Sequence, residues 1–322
     1  MDLDPTECHQ CVRVAKLYYE GNLTQQAIAK KLGLSRVKVH RILNQARDLG
    51  IVEIKIHVPA NPTLIEQEHQ LIMNYSLRDA LVVPAPVGDD PLYNNLAQGA
   101  ADWLAPRLET GTRVGLGLGR TISYLPKFFH MDATVDCIFT EVVGGSLENS
   151  GGIARSNIAS KLADLAGGRA ELFYAPNLVS SKELRQNLVN EPAIAMALER
   201  ARSCDIVLQS VGTVDENAIV YVEGRIDKDE LHQLQTSGAV GDALGHYFDL
   251  NGKPVSTFMD GRVIGMGLDD LKRIPWRVVV AGGEEKHKVI RAAVQAGYFN
   301  VLITDTNTAA FLLRDGRKDS VG

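Results

Sequence analysis

The sequence predicts an α/β chain in two parts, a short winged helical head followed by a larger doubly wound domain, and three observations carry that expectation. The 322 residues exceed one ordinary domain, and 45% hydrophobic with 23% charged residues is the composition of a globular chain able to bury a sizeable core. Apolar residues recur at helical spacing near the N-terminus, whereas beyond Ala80 they form short runs separated by helical stretches, the pattern of βαβ units around a largely parallel sheet. Charge divides in the same way: the chain carries −5 overall, yet residues 1–60 hold nine Lys/Arg against six Asp/Glu, leaving −8 for the remainder.

In the head, Val12, Val14, Ala15, Leu17 and Tyr18 predict a first helix that stops at Glu20-Gly21-Asn22. Thr24 caps a second, Gln25 to Leu32, with Ala27, Ile28 and Leu32 turned inward and Gly33 ending it. Ser35 caps a third. There Val39, Ile42, Leu43 and Ala46 form one stripe, Arg36, Lys38, His40, Arg41, Asn44 and Gln45 lie around the exposed side, and Gly50 closes the helix. Between Thr24 and Arg47 six basic residues meet no acidic one. A basic face on short capped helices binds phosphates and releases counterions, and the third helix has the composition of a recognition helix, with Arg able to pair with guanine and Asn or Gln with adenine. The head therefore reads as a helix-turn-helix for double-stranded DNA, with Thr24, Gln25, Ser35, Arg36, Lys38, His40, Arg41 and Asn44 as the contacting residues. The bland alternative is a solvated basic helix. Alternation from Ile51 to Ile56 predicts a short strand, the wing of a winged head.

Pro59 and Pro62 bracket a break, and Leu64, Ile65, Leu71, Ile72 and Tyr75 predict an amphipathic linking helix. That helix either pairs with a second subunit or packs on its own domain. The expected division is 1–58 for the head, 59–78 for the linker helix and 79–322 for the large domain.

Strands are expected at Ala80–Pro84, Arg113–Gly117, Cys137–Val143, Glu171–Tyr174, Ile206–Val211, Val278–Ala281 and Val301–Thr304. Such sheets bind ligands beyond the carboxyl ends of their strands. After the second run comes Gly115-Leu116-Gly117-Leu118-Gly119-Arg120-Thr121-Ile122-Ser123, where Gly117 and Gly119 would let backbone N–H groups approach an anion and Arg120, Thr121 and Ser123 would add side-chain donors. The alternative is a tight strand-to-helix turn; no Gly-Lys-Ser/Thr of a nucleotide-binding loop follows. In Gly238-Ala239-Val240-Gly241-Asp242 a carboxylate stands ready to accept sugar hydroxyls, unless it is a helix cap. In Ala281-Gly282-Gly283-Glu284-Glu285-Lys286 an ammonium at a helix start suits a phosphate, unless it is an exposed surface charge.

No run approaches the roughly 18 apolar residues of a membrane span, and Met1 to Gln10 has neither the basic nor the apolar part of a secretion signal, so a cytoplasmic protein is expected. Cys8 and Cys11 form a C-x-x-C, but no second ligand pair at metal-binding spacing accompanies them; neither metal nor cofactor is expected.

Taken together, the head L-T-Q-Q-A-I-A-K-K-L-G-L-S-R-V-K-V-H-R-I-L, then G-A-V-G-D-A-L-G-H-Y-F-D, I-P-W-R-V-V-V-A-G-G-E-E-K and V-L-I-T-D-T-N-T-A, resemble the SorC family of sugar-responsive bacterial regulators over nearly the whole length. The resemblance implies an effector domain similar to sugar-phosphate isomerases, a sugar or sugar-phosphate effector at the strand ends, operator DNA as target and a homodimer or homotetramer. It implicates Gly119 and Thr121 in the phosphate loop and Asp242 and Lys286 at the effector, with Gly212, Thr213 and Asn157 as weaker candidates. Arg120 stands where a smaller residue is expected, either narrowing the site or adding a phosphate contact. Asp242 and Lys286 are also the residue types of a sugar-phosphate isomerase, but Ser210-Val211-Gly212-Thr213 replaces the acidic stretch of those enzymes, and an enzyme has no use for a basic head. A regulator that binds rather than converts its ligand is the expectation.

Overall fold

A first helix, α1 (Pro5–Ala15), runs into a wider turn at Lys16–Glu20 before Gly21 ends it. Thr24 and Ser35 then start α2 (Gln25–Leu32) and α3 (Arg36–Asp48): each is extended and its hydroxyl oxygen accepts a backbone N–H three residues on, that of Ala27 at 3.2 Å and that of Lys38 at 3.1 Å. Gly33, at φ +65, closes α2 in the left-handed conformation that a side chain disfavours. The core of this unit is Cys11, Val14, Ala15, Ile28, Ala29, Val39, Ile42, Leu43 and Ala46. Two expectations are corrected: Val12 is exposed, and Ala27 faces outward while Ala29 takes the inward place, because helical periodicity pairs 28 and 29 with 32. Cys11 is a core residue, and burial pushes its thiol pKa up.

The computed structural model describes residues 5–53, 62–86, 91–145 and 158–315, and the chain divides into two compact units, 1–60 and 61–322. Of the expected wing, Ile51 and Val52 form a bend and Glu53 is in no strand; residues 54–56 lie outside the described residues, as does the proline-bracketed break. No described helix is long and apolar enough to cross a membrane.

The large unit has nine strands among the described residues: β1 (Asp79–Val83), β2 (Arg113–Leu116), β3 (Ile138–Glu141), β4 (Arg169–Glu171), β5 (Ile206–Gln209), β6 (Gly241–Ala243), β7 (His246–Phe248), β8 (Trp276–Val280) and β9 (Val301–Asp305). Seven form one parallel sheet in the order β1-β9-β8-β5-β2-β3-β4; β6 and β7 make a separate antiparallel hairpin. Every expected run contributes to the parallel sheet, with one displacement. The ladder of β4 ends at Glu171, and the apolar residue Phe173 instead enters a side cluster with Val179, Ala197 and Leu198.

Alternation divides the sheet's side chains between two cores. Val207, Val279 and Leu302 pack with α4 (Pro62–Tyr75) on one face, whereas Leu208, Val278, Val280, Val301 and Ile303 pack with α5 (Leu92–Leu104) on the other. The linking helix α4 is therefore seated on its own domain: Leu71 is fully buried, Tyr75 Oη donates to the Leu312 carbonyl at 3.0 Å, and Glu68 accepts the Val82 N–H at 2.8 Å.

At the amino ends of the strands, Asp79 accepts both the Trp103 indole N–H (2.7 Å) and Arg107 (2.8 Å). The Trp103 and Trp276 rings meet edge to face 5.7 Å apart, and the Arg78 guanidinium lies 3.4 Å above Trp276. The carboxyl ends are built differently. From β2 the chain winds outward to β3 and β4, then returns beside β2 as β5 and winds the other way to β8 and β9. The seam between β2 and β5 is thus the topological switch point, where successive connections leave in opposite directions and open a crevice.

Candidate functional site

That crevice is occupied by a cavity of about 260 Å³, reached from the carboxyl ends of β2, β5 and β8. A void of about 150 Å³ accommodates benzene, so the space suits a small polyol or sugar derivative. Of the expected effector residues, Gly119, Arg120, Thr121, Gly212, Thr213, Asp242 and Lys286 line it. Gly117 does not, and Asn157 lies outside the described residues.

Behind β2 the chain turns through Gly119, whose φ of +150 favours glycine, into α6 (Arg120–Ser123), a single turn followed by the Pro-containing turn Leu125–Phe128. Thr121 is buried and Arg120 exposed. The Ser123 hydroxyl, expected to face a ligand, donates instead to the Arg120 carbonyl at 2.6 Å. One turn has little macrodipole, so its capacity for an anion resides in the N–H groups of its first residues, which have no intrahelical acceptor.

Asp242 is neither a helix cap nor part of a strand end of the main sheet. It belongs to β6, and the hairpin is tied across the end of β5 by a reciprocal pair, Gly212 N–H to the Asp242 carbonyl (3.0 Å) and Asp242 N–H to the Gly212 carbonyl (3.1 Å). A Cβ on Gly212 would stand 2.1 Å from Asp242 Oδ1, so only glycine lets the carboxylate lie there. The hairpin turns on Leu244 and Gly245, at φ +55 and +79, the two left-handed positions of a tight antiparallel turn. Leu244 suffers a steric penalty in that conformation, and its buried side chain forms part of the cavity wall. The Gly245 N–H donates to Asp242 Oδ2 at 2.9 Å. Burial pushes the Asp242 carboxyl up to about 6, against the lowering effects of that hydrogen bond and of Lys286. Burial also lowers the Lys286 ammonium, whose Nζ lies 3.4 Å from the Ser210 hydroxyl; it is half-buried rather than a free surface charge.

Asp305 lies in a segment that the sequence marks, yet no role for it is evident before the fold is known. Its buried carboxylate accepts the Gly283 N–H (3.0 Å) and the Thr308 hydroxyl (2.6 Å) through Oδ2, and the Asn307 and Thr308 N–H groups through Oδ1. One side chain caps the helix that follows β9 and holds the Gly282-Gly283 loop that presents Lys286. The signal for it is an Asp followed by Thr-Asn-Thr at a strand end. Asn177 and Arg225 also line the cavity without having been expected there: Arg225 donates to Asn177 Oδ1 at 3.0 Å and pairs with Glu223 at 2.6 Å. They arrive from connections with no periodicity to mark them.

In the small unit, Arg36, Lys38, His40 and Arg41 are exposed along α3 and Asn44 is half-buried. His40 and Asn44 are hydrogen-bonded at 3.3 Å, and Arg47 donates to Asn44 Oδ1 at 3.3 Å. Val37, 79% exposed, stands among these polar residues on the first turn. Thr24 and Ser35 are exposed with their oxygens engaged in capping, and Gln25 is half-buried beside Thr24.

Comparison with known proteins gives a consistent set. The Sugar-bind family model, a sugar-binding domain, matches residues 61–314. Over 312 residues the chain is 33% identical to the transcriptional regulator LsrR of Escherichia coli, covering 96% of this chain and 95% of that protein. It is 29% identical over 307 residues to the erythritol catabolism regulatory protein EryD of Brucella abortus, with 94% and 95% covered. The full-length sorbitol operon regulator SorC from Klebsiella pneumoniae has a TM-score of 0.72 at 25% identity, over 97% of this chain and all of that one.

Proposed function

This chain belongs to the SorC family of sugar-responsive transcriptional regulators, and from that premise we propose that its effector is a small sugar or polyol, in phosphorylated form, held in the cavity at the β2–β5 seam. The observation that carries the proposal is the convergence on one cavity of the Gly119-Arg120-Thr121 turn, the half-buried Lys286 and the held carboxylate of Asp242. An anionic group suits Gly119, Arg120, Thr121 and Lys286. Hydroxyls suit Asp242, with Gly212 and Thr213 forming the wall beside it.

The head, residues 1–58, reads operator DNA of a carbohydrate-catabolism operon. Arg36, Lys38, His40, Arg41 and Asn44 face the groove, and Thr24, Gln25 and Ser35 stand at the helix starts near the phosphates. The linker helix spans 59–78 and the effector domain 79–322. Two heads reading two half-sites require a homodimer, and a homotetramer would join two such sites. Effector binding acts by differential affinity for the DNA-competent and DNA-incompetent states, with no chemical conversion of the ligand.

The test is to select genomic fragments with the purified protein and titrate the enriched fragment at fixed salt with sugars, polyols and their phosphates. A palindromic site beside sugar-catabolism genes, released or tightened by one phosphorylated compound that the protein does not turn over, is the expected result. Absence of enrichment over random DNA sinks the DNA reading, and turnover in a coupled isomerase assay sinks the non-enzymatic one.

A further inference from the structure

Gln209 is the last residue of β5, the strand at the middle of the switch-point floor, with β2 on one side and β8 on the other. Gln209 is one of the residues that line the cavity, it is 5% exposed, and no described group hydrogen-bonds to its Oε1, which is itself buried on the side of Gly117. A buried amide oxygen without a donor is costly to a fold, and an apolar side chain of the same shape would fill the floor without that cost. A second feature shows that the chain makes room for this amide. A Cβ on Gly117 would stand 1.5 Å from Gln209 Oε1, yet Gly117 is not among the left-handed glycines, so its backbone does not call for glycine. The glycine expected to approach a phosphate instead clears the place of a polar group that the protein leaves unsatisfied.

We propose that Gln209 is a specificity-determining residue that reads a hydroxyl of the effector, so that the ligand carries an O–H at the carbon resting on the β5 end. This rests on the reading of the cavity as the sugar site. A hydroxyl donates to the amide oxygen or accepts from the amide nitrogen, so it pairs with the carboxamide in either orientation. A methylene pairs with neither and leaves the amide unsatisfied. A ligand lacking the hydroxyl is rejected for that reason, not for its size.

The experiment is calorimetric titration of the full-length protein with pentitol, hexitol and aldose phosphates and their monodeoxy counterparts, repeated on Gln209→Met and Gly117→Ala. Wild type should bind one hydroxylated compound at least about tenfold tighter than one of its deoxy counterparts, and Gln209→Met should reduce that ratio to within about threefold while leaving deoxy binding unchanged. Without ligand, Gln209→Met should melt at or above the wild-type temperature. Gly117→Ala should weaken binding of the hydroxylated compound in wild type and have no such effect in the Gln209→Met background. A ratio that survives Gln209→Met, or a lower melting temperature of that variant without ligand, overturns the inference and leaves the sugar site standing. If wild type binds no member of the panel, the sugar-site reading itself fails and takes the inference with it.

Discussion

Asp242 carries a pH signature that follows from its position under the hairpin. Burial raises its carboxyl from 3.8 to about 6, so between those values the folded chain holds a proton that the unfolded chain has released. Its contribution to stability therefore declines as pH rises through that window, and the penalty remains in full above it. Asp242→Asn should raise the melting temperature of the effector-free protein at pH 7.5 and change it little at pH 4, as thermal denaturation at the two values would measure. Effector binding runs the other way. A carboxylate that accepts hydroxyls is lost on protonation, so wild-type affinity should fall as pH drops through about 6, and Asp242→Asn should bind more weakly at pH 7.5 with a shallower pH dependence. At Leu244 the trade is between backbone and wall. Leu244→Asn relieves the left-handed position while removing apolar cavity wall, and should leave the melting temperature nearly unchanged while weakening effector binding, readable by calorimetry.

At the scale of elements, α3 and the Gly282-Gly283 loop each depend on one cap. Ser35→Ala removes the acceptor of the Lys38 N–H and should cost about 1 kcal/mol of stability, measured on the head's own transition. Lys38→Ala keeps the helix and should weaken binding to all DNA sequences alike, lowering the slope of log affinity against log salt by about 0.9 per phosphate that the ammonium neutralises. Asp305→Ala strips acceptors from the Gly283, Asn307 and Thr308 N–H groups together and should cost roughly 3 kcal/mol in urea denaturation. These elements also mark what the sequence could disclose. Thr24 and Ser35 announce their helices because a cap is a local interaction between residues three apart. The inner parallel strands are legible because both their faces are buried and they read as continuous apolar runs, as in β5 and β9, whereas edge strand β4, with exposed Arg169 and half-buried Ala170 and Glu171, carries no such run. The hairpin is not: with three residues per arm and Leu244 at a left-handed position, it lacks both the length and the Asn-Gly or Asp-Gly that would signal it. Gly117 misleads because a glycine beside a binding loop looks the same whether it admits a ligand or another side chain.

For the molecule as a whole, legibility in the sequence falls with sequence distance. Residues that meet the cavity from their own strand end, such as Thr121 and Lys286, are found, while Asn177 and Arg225 are not, because only the folded connections bring them there. The proposed two-headed assembly predicts that light scattering gives at least twice the chain mass of 35.1 kDa, and that effector changes either that mass or the affinity for two properly spaced half-sites over one. Both tryptophans of the chain, Trp103 and Trp276, share one cluster at the amino ends of the strands, across the sheet's length from the cavity. Tryptophan emission, excited apart from that of the tyrosines, is therefore blind to a ligand that merely fills its site. An effector-dependent change in that emission, or in its quenching by iodide, would report that the sheet's far end had moved, and would time the arrival of the signal there without any attached dye.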